Sequence, residues 1–506
     1  MTSTIPNGMN ARMQAKAIED KSMTSVTQLD RYGLLAVSIL IVLSLSTLTI
    51  YPLVGYPYHE IPDFFAQLGL ARAVLHNGAV NPAGSGSYLF FPGLFVLIAQ
   101  LTLLTGSTLL DCAALLSVVL GVLITLMIFM ILRLLSRSVT IAFVGGFIAI
   151  ATNAAVDFIF PSPGYLNFTI LLFANFLTWK FVLEDRRALT LVLPIVVLAF
   201  SLASGDPTYS AVYVIQLIIL LAVVSLYGST RDISARVVVP FVAFLLPVVA
   251  YYVYIGYWII PLFFSFSRDF LSRVLSNLFV ASSAQIVGPG SAVFQLWFGL
   301  TFWVSRFMYA LVGGMTVLLL FRNLVLKRRT LGKSRLLVNM IVLSTVLASL
   351  PYFAIGSGVL GLDVGRFVQV SYPYMSLMLA FILVRSRAPN GFRKHRILSL
   401  SLVVILGLAM VLAYLPIHVI DHNLENRPLV YSAEFFTLQT GGQGRLAYSL
   451  PATAVVQFIT GLELVGGPPP PSLTGPFGNL TTVQQSRPQV TDIVYSTESI
   501  VLEVSK

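Results

Sequence analysis

The stretch LFFPGLFVLIAQLTLL, Leu89–Leu104, decides how this chain is threaded. It is apolar enough to pass for a membrane span. Counted as one, it would move every later loop to the opposite side of the bilayer. Arg133 and Arg137, the EDRR cluster Glu184–Arg187 and the run KRRTLGKSR, Lys327–Arg335, would then face outward. Short loops on the cytoplasmic side carry the excess of Lys and Arg. Leu89–Leu104 is therefore read as a re-entrant or interfacial helix, and residues 55–108 as one large external loop.

Composition fixes the broad class. Mean hydropathy is +0.87 and charged residues make up 10% of the chain, against about 25% in soluble domains. Apolar runs lie near 33–54, 109–132, 138–156, 165–183, 188–204, 211–228, 237–256, 296–321, 337–355, 367–384 and 397–418. Most approach or exceed the ~18–20 residues that cross a bilayer, so the expectation is an all-α polytopic membrane protein of about eleven spans. With the N-terminus cytoplasmic, the inner segments collect Arg12, Lys16, Lys21, Arg31, Arg133, Arg137, Lys180, Arg186, Arg187, Arg231, Arg236, Arg322, the Lys327–Arg335 run, Arg385, Arg387, Arg393, Lys394 and Arg396. The net charge of +11 is thus explained by the positive-inside bias, and nucleic acid is not expected as a partner. The odd number of spans sends the C-terminus outside.

The domain reading follows. Residues 1–32 form a polar cytoplasmic segment with no sign of a cleaved leader, 33–418 the membrane domain, and 419–506 a small external region. That last region is rich in Pro and Gly, with four prolines at Pro468–Pro471. Short β-like runs occur at Leu429–Phe436, Val455–Ile459, Asp492–Tyr495 and Ile500–Val504, so it is expected to be a partly extended cap and not an independent catalytic domain. The lone cysteine, Cys112, falls in a span and excludes a disulfide framework. Of two glycosylation sequons, Asn479-Leu480-Thr481 lies in the external tail, whereas Asn167-Phe168-Thr169 lies within a span and should stay bare.

Within the external loop, His59-Glu60-Ile61-Pro62-Asp63 opens a helix. Pro62 suits the first helical position because its missing N–H is not needed there. Asp63 lies in the first turn, where the helix dipole favours a carboxylate. Phe64, Leu68, Ala71 and Leu75 repeat at helical spacing and give one apolar stripe, able to lie in the membrane interface. Asn77-Gly78 ends the helix with residues that tolerate a left-handed backbone. On spacing alone, Asp63 is better explained as a helix-start residue than by chemistry, with the stripe as membrane-surface packing.

The order Asp63, Ala71-Arg72, Leu75, Gly78, then Phe91-Pro92 before an apolar helix and Thr105-Gly106, resembles the first external loop of GT-C glycosyltransferases. These are multi-span enzymes that use polyprenyl-phosphate-linked sugars. The loop is most similar to that of the lipid A aminoarabinose transferases and their archaeal and bacterial relatives, with the protein mannosyltransferases as a wider comparison. The resemblance covers about 50 residues well. It implies that Asp63 is the catalytic aspartate and Arg72 the basic position of the helix. Phe158–Gly164 and Gly365–Phe381 resemble later marks of the same family. Two departures stand out. The family's Asp-Glu pair is Asp63-Phe64 here, with Glu60 three residues upstream, and no WWDYG motif occurs, which disfavours an oligosaccharyltransferase.

The chemistry itself needs a carboxylate to deprotonate or orient an acceptor and positive charge or a metal to hold the departing phosphate. Asp63 is the first candidate base and Glu60 the second. His59, Glu60 and Asp63 would be the ligands of a divalent metal, although their spacing matches no strong metal motif. Arg366, at the outer mouth of a span, can clamp a phosphate through two parallel hydrogen bonds. Arg306 lies within a span, where a charge is costly and marks a functional candidate. Asp157 and Asp206, at outer span ends, are candidates for a second carboxylate, although each also suits a helix end or turn. Arg268, Asp269 and Arg273 fall in a surface helix that reads as membrane packing. The expected activity is sugar transfer from a polyprenyl-phosphate donor on the external face of the cell membrane. The alternative is a non-catalytic subunit that keeps the fold, and a secondary transporter ranks third because only Arg306 looks deep and no paired halves are visible.

Overall fold

In a bilayer an apolar segment can satisfy its backbone N–H and C=O groups only within itself, as a helix, or within a closed barrel. The computed structural model answers with helices. It describes residues 31–54, 62–78, 92–153, 163–183, 189–205, 207–226, 231–255, scattered positions between 314 and 324, 333–354, and strand segments at 445–446, 472–475, 478–483, 491–496 and 501–505. The helices are α1 (Arg31–Val54), α2 (Pro62–Asn77), α3 (Gly93–Thr105), α4 (Leu109–Ser136), α5 (Val139–Asn153), α6 (Pro163–Leu183), α7 (Leu189–Gly205), α8 (Pro207–Leu226), α9 (Arg231–Tyr254) and α10 (Lys333–Ala354).

Eight expected spans coincide with α1 and α4 to α10. The expected spans at 367–384 and 397–418 lie outside the described residues, as does most of 296–321. Among the described residues, four stretches are long and apolar enough to cross a membrane by themselves: Leu109–Ser136, Pro163–Leu183, Tyr209–Leu226 and Arg236–Tyr254. The chain is an all-helical membrane protein in its described bulk.

Packing shows why these are membrane helices and not the core of a soluble bundle. On α9, Val237, Phe244, Val248 and Tyr251 are buried against the protein, while Val242, Leu246, Val249 and Val253 are exposed at helical spacing. A helix apolar on both faces suits protein on one side and lipid on the other. Leu34, Leu35 and Val42 on α1 and Leu193 and Val197 on α7 are likewise exposed. Inside, α4 packs on α1, α5 and α6, α7 lies against α6 and α9, and α10 lies along α8. Close approach uses small residues, as is common between membrane helices. A Cβ on Gly146 of α5 would stand 2.7 Å from a Leu40 Cδ of α1.

The helix α3 is short, as is the 15-residue α5. The 13 residues of α3 rise only about 20 Å at 1.5 Å each, short of the ~30 Å hydrocarbon core. The turn that follows is firmly specified. Gly106 ends α3 in the left-handed region at φ 68°, its N–H bonding to Thr102 O. Thr108 caps α4 by accepting from the Asp111 N–H at 3.1 Å, and its hydroxyl donates to Asp111 Oδ2 at 2.7 Å. Thr105 Oγ1 donates to Leu101 O and accepts from the Ser107 N–H.

The tail contains one five-stranded antiparallel sheet: β1 (Arg445–Leu446), β2 (Ser472–Gly475), β3 (Gly478–Val483), β4 (Thr491–Ser496) and β5 (Val501–Ser505), in the order β1-β2-β3-β5-β4. β4 and β5 fall on two of the expected runs. The runs at 429–436 and 455–459 lie outside the described residues. β2 and β3 were not expected, because their Ser, Thr, Gly and Asn content reads as loop. Register aligns Leu446, Leu473, Leu480 and Val504 in one row and Ser472, Thr481 and Glu503 in the next. β4 adds Asp492 to the first row and Ile493 to the second.

Candidate functional site

The loop helix α2 begins at Pro62 and carries Asp63 as its second residue. It packs on α3 and, less extensively, on α4. Leu68 and Ala71 of the apolar stripe are wholly buried and Leu75 is packed against the core. The stripe therefore faces protein, where the sequence reading had allowed it the membrane interface. The reason is α3, a second short apolar helix that supplies a partner surface. Asp63 occupies the helix position that lines up with Leu70 and Val74, at i+7 and i+11, both partly buried against the core.

Arg72 is half-buried on α2. Nine residues separate it from Asp63. At 3.6 residues per turn the two positions stand on opposite sides of the helix, about 13.5 Å apart along its axis. The structure thus puts the two family-like positions on one helix without bringing them together.

The base on which α3 rests is a contact of three helices. Gly93 opens α3, and a Cβ added to it would touch Gly205 Cα at 3.5 Å and Ser204 O at 3.6 Å. Gly205 ends α7, and a Cβ there would overlap the Asn167 amide of α6. Asn167 is wholly buried, its Nδ2 donating to Pro163 O at 2.7 Å. The second sequon is therefore closed within the protein, as its position in a span led one to expect. Gly205 is the filling between a side-chain amide and the start of the loop helix. Sequence reasoning missed this junction, because a glycine at a span end reads only as a helix stop.

Near this end of the bundle lie Tyr165 and Phe168 of α6, Tyr209 and Ser210 of α8, and Tyr251 and Tyr252 of α9. Ser210 Oγ and Tyr252 Oη share a hydrogen bond of 2.7 Å, and the Tyr251 ring meets those of Tyr252 and Phe200 edge to face.

The remaining candidates are not brought into view. His59, Glu60, Asp157, Asp206, Arg306 and Arg366 lie outside the described residues, as do Arg268, Asp269 and Arg273. Among the described residues no three His, Cys, Asp or Glu side chains converge to hold a metal.

With this geometry in place, the fold can be compared with solved structures. The apo oligosaccharyltransferase of Archaeoglobus fulgidus matches with a TM-score of 0.51 at 13% identity over 86% of this chain. Archaeal oligosaccharyltransferase AglB from the same organism, in complex with an inhibitory peptide and a dolichol-phosphate, matches with a TM-score of 0.50 at 14% identity over 86% of this chain. The enzyme in complex with Zn and sulfate also reaches 0.50, at 13% identity over 86% of this chain. This chain spans about 60% of the length of those proteins. No protein-family model matches the sequence, and no curated protein is similar to it. The likeness is one of fold: the helical membrane domain of this chain is similar to that of these oligosaccharyltransferases. These neighbours are oligosaccharyltransferases, whereas the loop resembles the aminoarabinose transferases. The common ground is the architecture and not the subtype.

Proposed function

We propose that this protein is a membrane glycosyltransferase that takes a sugar from a polyprenyl-phosphate-linked donor and transfers it on the external face of the membrane. The observation that carries the reading is Asp63: a carboxylate in the first turn of a short helix, directly after the first span, in a chain whose fold is similar to that of membrane glycosyltransferases. Asp63 deprotonates or orients the acceptor, with Glu60 beside it. The donor enters sideways from the lipid with its phosphate near the headgroup plane. Arg366 clamps that phosphate, with Arg306 deeper in the bundle. Arg72 is the weaker choice for the clamp, standing on the other side of α2. Asp157 and Asp206 are the candidates for a second carboxylate. The chemistry of His59, Glu60 and Asp63, two carboxylates and an imidazole within five residues, suits a divalent cation with oxygen and nitrogen ligands. Such a cation would help neutralise the leaving phosphate.

The threading belongs to the same proposal: about eleven spans, N-terminus cytoplasmic, C-terminus external, with α3 re-entrant because counting it as a span would carry the later basic loops outside. Arg366 then stands within about 12 Å of Asp63, the span of a sugar ring plus a phosphate between a base and a clamp that each make ~3 Å contacts.

The test uses membranes containing the full chain, supplied with polyprenyl-phosphate-linked sugars. Transfer that is lost in Asp63→Asn supports the reading. Transfer that survives at the wild-type rate removes Asp63 as the base. A preparation that binds no polyprenyl phosphate and copurifies with a stoichiometric protein partner favours a non-catalytic subunit, the reading that the broken Asp-Glu pair would support.

A further inference from the structure

The centres of three spans carry polar side chains that meet. Asn175 lies within two residues of the middle of α6, Gln216 at the middle of α8, and Ser344 and Thr345 at the middle of α10. All four are buried. In hydrocarbon each such group is costly unless it is hydrogen-bonded.

Much of the string closes on itself. Tyr213 of α8 donates from its hydroxyl to Ala174 O at 3.0 Å. Its proton is thereby used, so Thr178 Oγ1 donates to the Tyr213 oxygen. Gln216 Nε2 donates to Thr345 Oγ1 at 3.0 Å, and Thr345 Oγ1 donates to Ile341 O at 2.9 Å. Ser344 Oγ also turns to Ile341 O. Three atoms do not close: Asn175 Nδ2, Asn175 Oδ1 and Gln216 Oε1 are buried with no partner among the described residues. Asn175 is 0% exposed and Gln216 1%.

The position of these atoms is not scattered. Asn175 stands three residues before Thr178, and Gln216 three residues after Tyr213. The two helices run in the same direction here, Phe168 meeting Tyr209 and Ala174 meeting Tyr213, so Asn175 lies one turn before the Thr178–Tyr213 contact and Gln216 one turn after it, about 9 Å apart along the axis. The string contains no Asp, Glu, Lys, Arg or His. The unfilled capacity is mixed at both amides: two hydrogens and an oxygen on Asn175, and an oxygen with the second amide hydrogen on Gln216. A bare cation would meet the amide hydrogens and a bare anion the carbonyl oxygens. Water gives and accepts at once, and a buried water characteristically makes about three such bonds.

We propose that the α6–α8–α10 interface is internally hydrated at the middle of the membrane domain, with ordered water on each side of the Thr178–Tyr213 contact completing the hydrogen bonds of Asn175 on one side and of the Gln216 carbonyl on the other. This inference is independent of the glycosyltransferase reading. It makes the seam between these helices wet, although the flanking residues Leu171, Leu172, Leu217 and Leu220 are fully apolar and buried.

X-ray radiolysis of the full chain in nanodiscs tests it, because radicals formed at bound water oxidise the side chains beside that water. Tyr213 is the reporter. Phe129 and Phe95, equally buried on α4 and α3, are the dry controls, with rates normalised to each residue type's intrinsic reactivity. The expected result is oxidation of Tyr213 several-fold faster than of either phenylalanine, falling to their level in Asn175→Leu. Tyr213 oxidised as slowly as Phe129 in the wild-type protein overturns the proposal. So does an Asn175→Leu variant with an unchanged Tyr213 rate. Should Asn175→Leu fail to fold, the wild-type comparison still decides, and Gln216→Met supplies the second variant.

Discussion

Two places in this bundle are held together by opposite means. At the junction of α3, α6 and α7, Gly93 and Gly205 bring backbones into contact because they carry no side chain. At the centre of α6, α8 and α10, helices are joined by side chains that reach across: Tyr213 to Ala174 O and Gln216 to Thr345. Water competes for polar contacts at a membrane surface, so close backbone packing is the safer device there. Away from bulk water few groups compete, so side-chain hydrogen bonds can join helices there, and the polar atoms they leave open are the ones proposed to hold ordered water. The junction also supports the loop helices, which makes it the end of the molecule where chemistry is proposed.

That contrast can be broken in several ways. The largest effect is expected at the loop itself. Asp63→Asn should lower sugar transfer by at least about 100-fold, the low end for loss of a general base, with unfolding temperature unchanged. A parallel loss of stability would recast Asp63 as a structural residue. Next comes Gly205→Ala, which forces a methyl group against the Asn167 amide. Overpacking of this kind costs about 1–3 kcal/mol. Asn167→Ala in the same chain should restore part of it, measured as a double-mutant cycle on thermal unfolding. Additive effects would mean that the two residues do not meet.

At the centre of the bundle, Tyr213→Phe removes the donor to Ala174 O and leaves Thr178 without its acceptor. The expected cost is about 1–3 kcal/mol, read in the same unfolding assay, with no change in transfer. A transfer defect in a variant of normal stability would break the division between a chemical end and a structural middle. The smallest effect belongs to the turn between α3 and α4. Thr108→Ala should cost about 1 kcal/mol by uncapping α4. Threading is checked separately by cysteine labelling at Ser85, Ser334 and Ser472. Position 334 should be reached only from the cytoplasmic side, and labelling from outside would reverse the orientation.

Much of this was legible in the linear chain. The run at 109–132 becomes α4 and the run at 165–183 becomes α6, because about twenty apolar residues have only one way to satisfy their backbones in a bilayer. The helix start at Pro62-Asp63 and its end at Asn77-Gly78 were equally readable, since dipole, capping and backbone freedom act within one turn. The stripe Leu68, Ala71 and Leu75 was visible as a stripe, but not what would cover it. An apolar face looks the same whether lipid or α3 lies against it. The polar side chains Asn175 and Gln216 passed unnoticed for a related reason: a single amide within an apolar run has no periodicity to betray its partner.

The sequence by itself therefore determined the class of molecule, the helix ends and the carboxylates from which to choose. Those properties arise from local hydrogen bonding and from transfer between water and lipid. Tertiary structure decided that the loop helix faces protein, that Asp63 and Arg72 stand on opposite sides of it, and that Gly205 is wedged between Asn167 and Gly93. Each of these joins positions remote along the chain or turns on how a helix is rotated about its axis. Only packed neighbours fix such relations, because interiors admit few arrangements that leave neither a void nor an overlap.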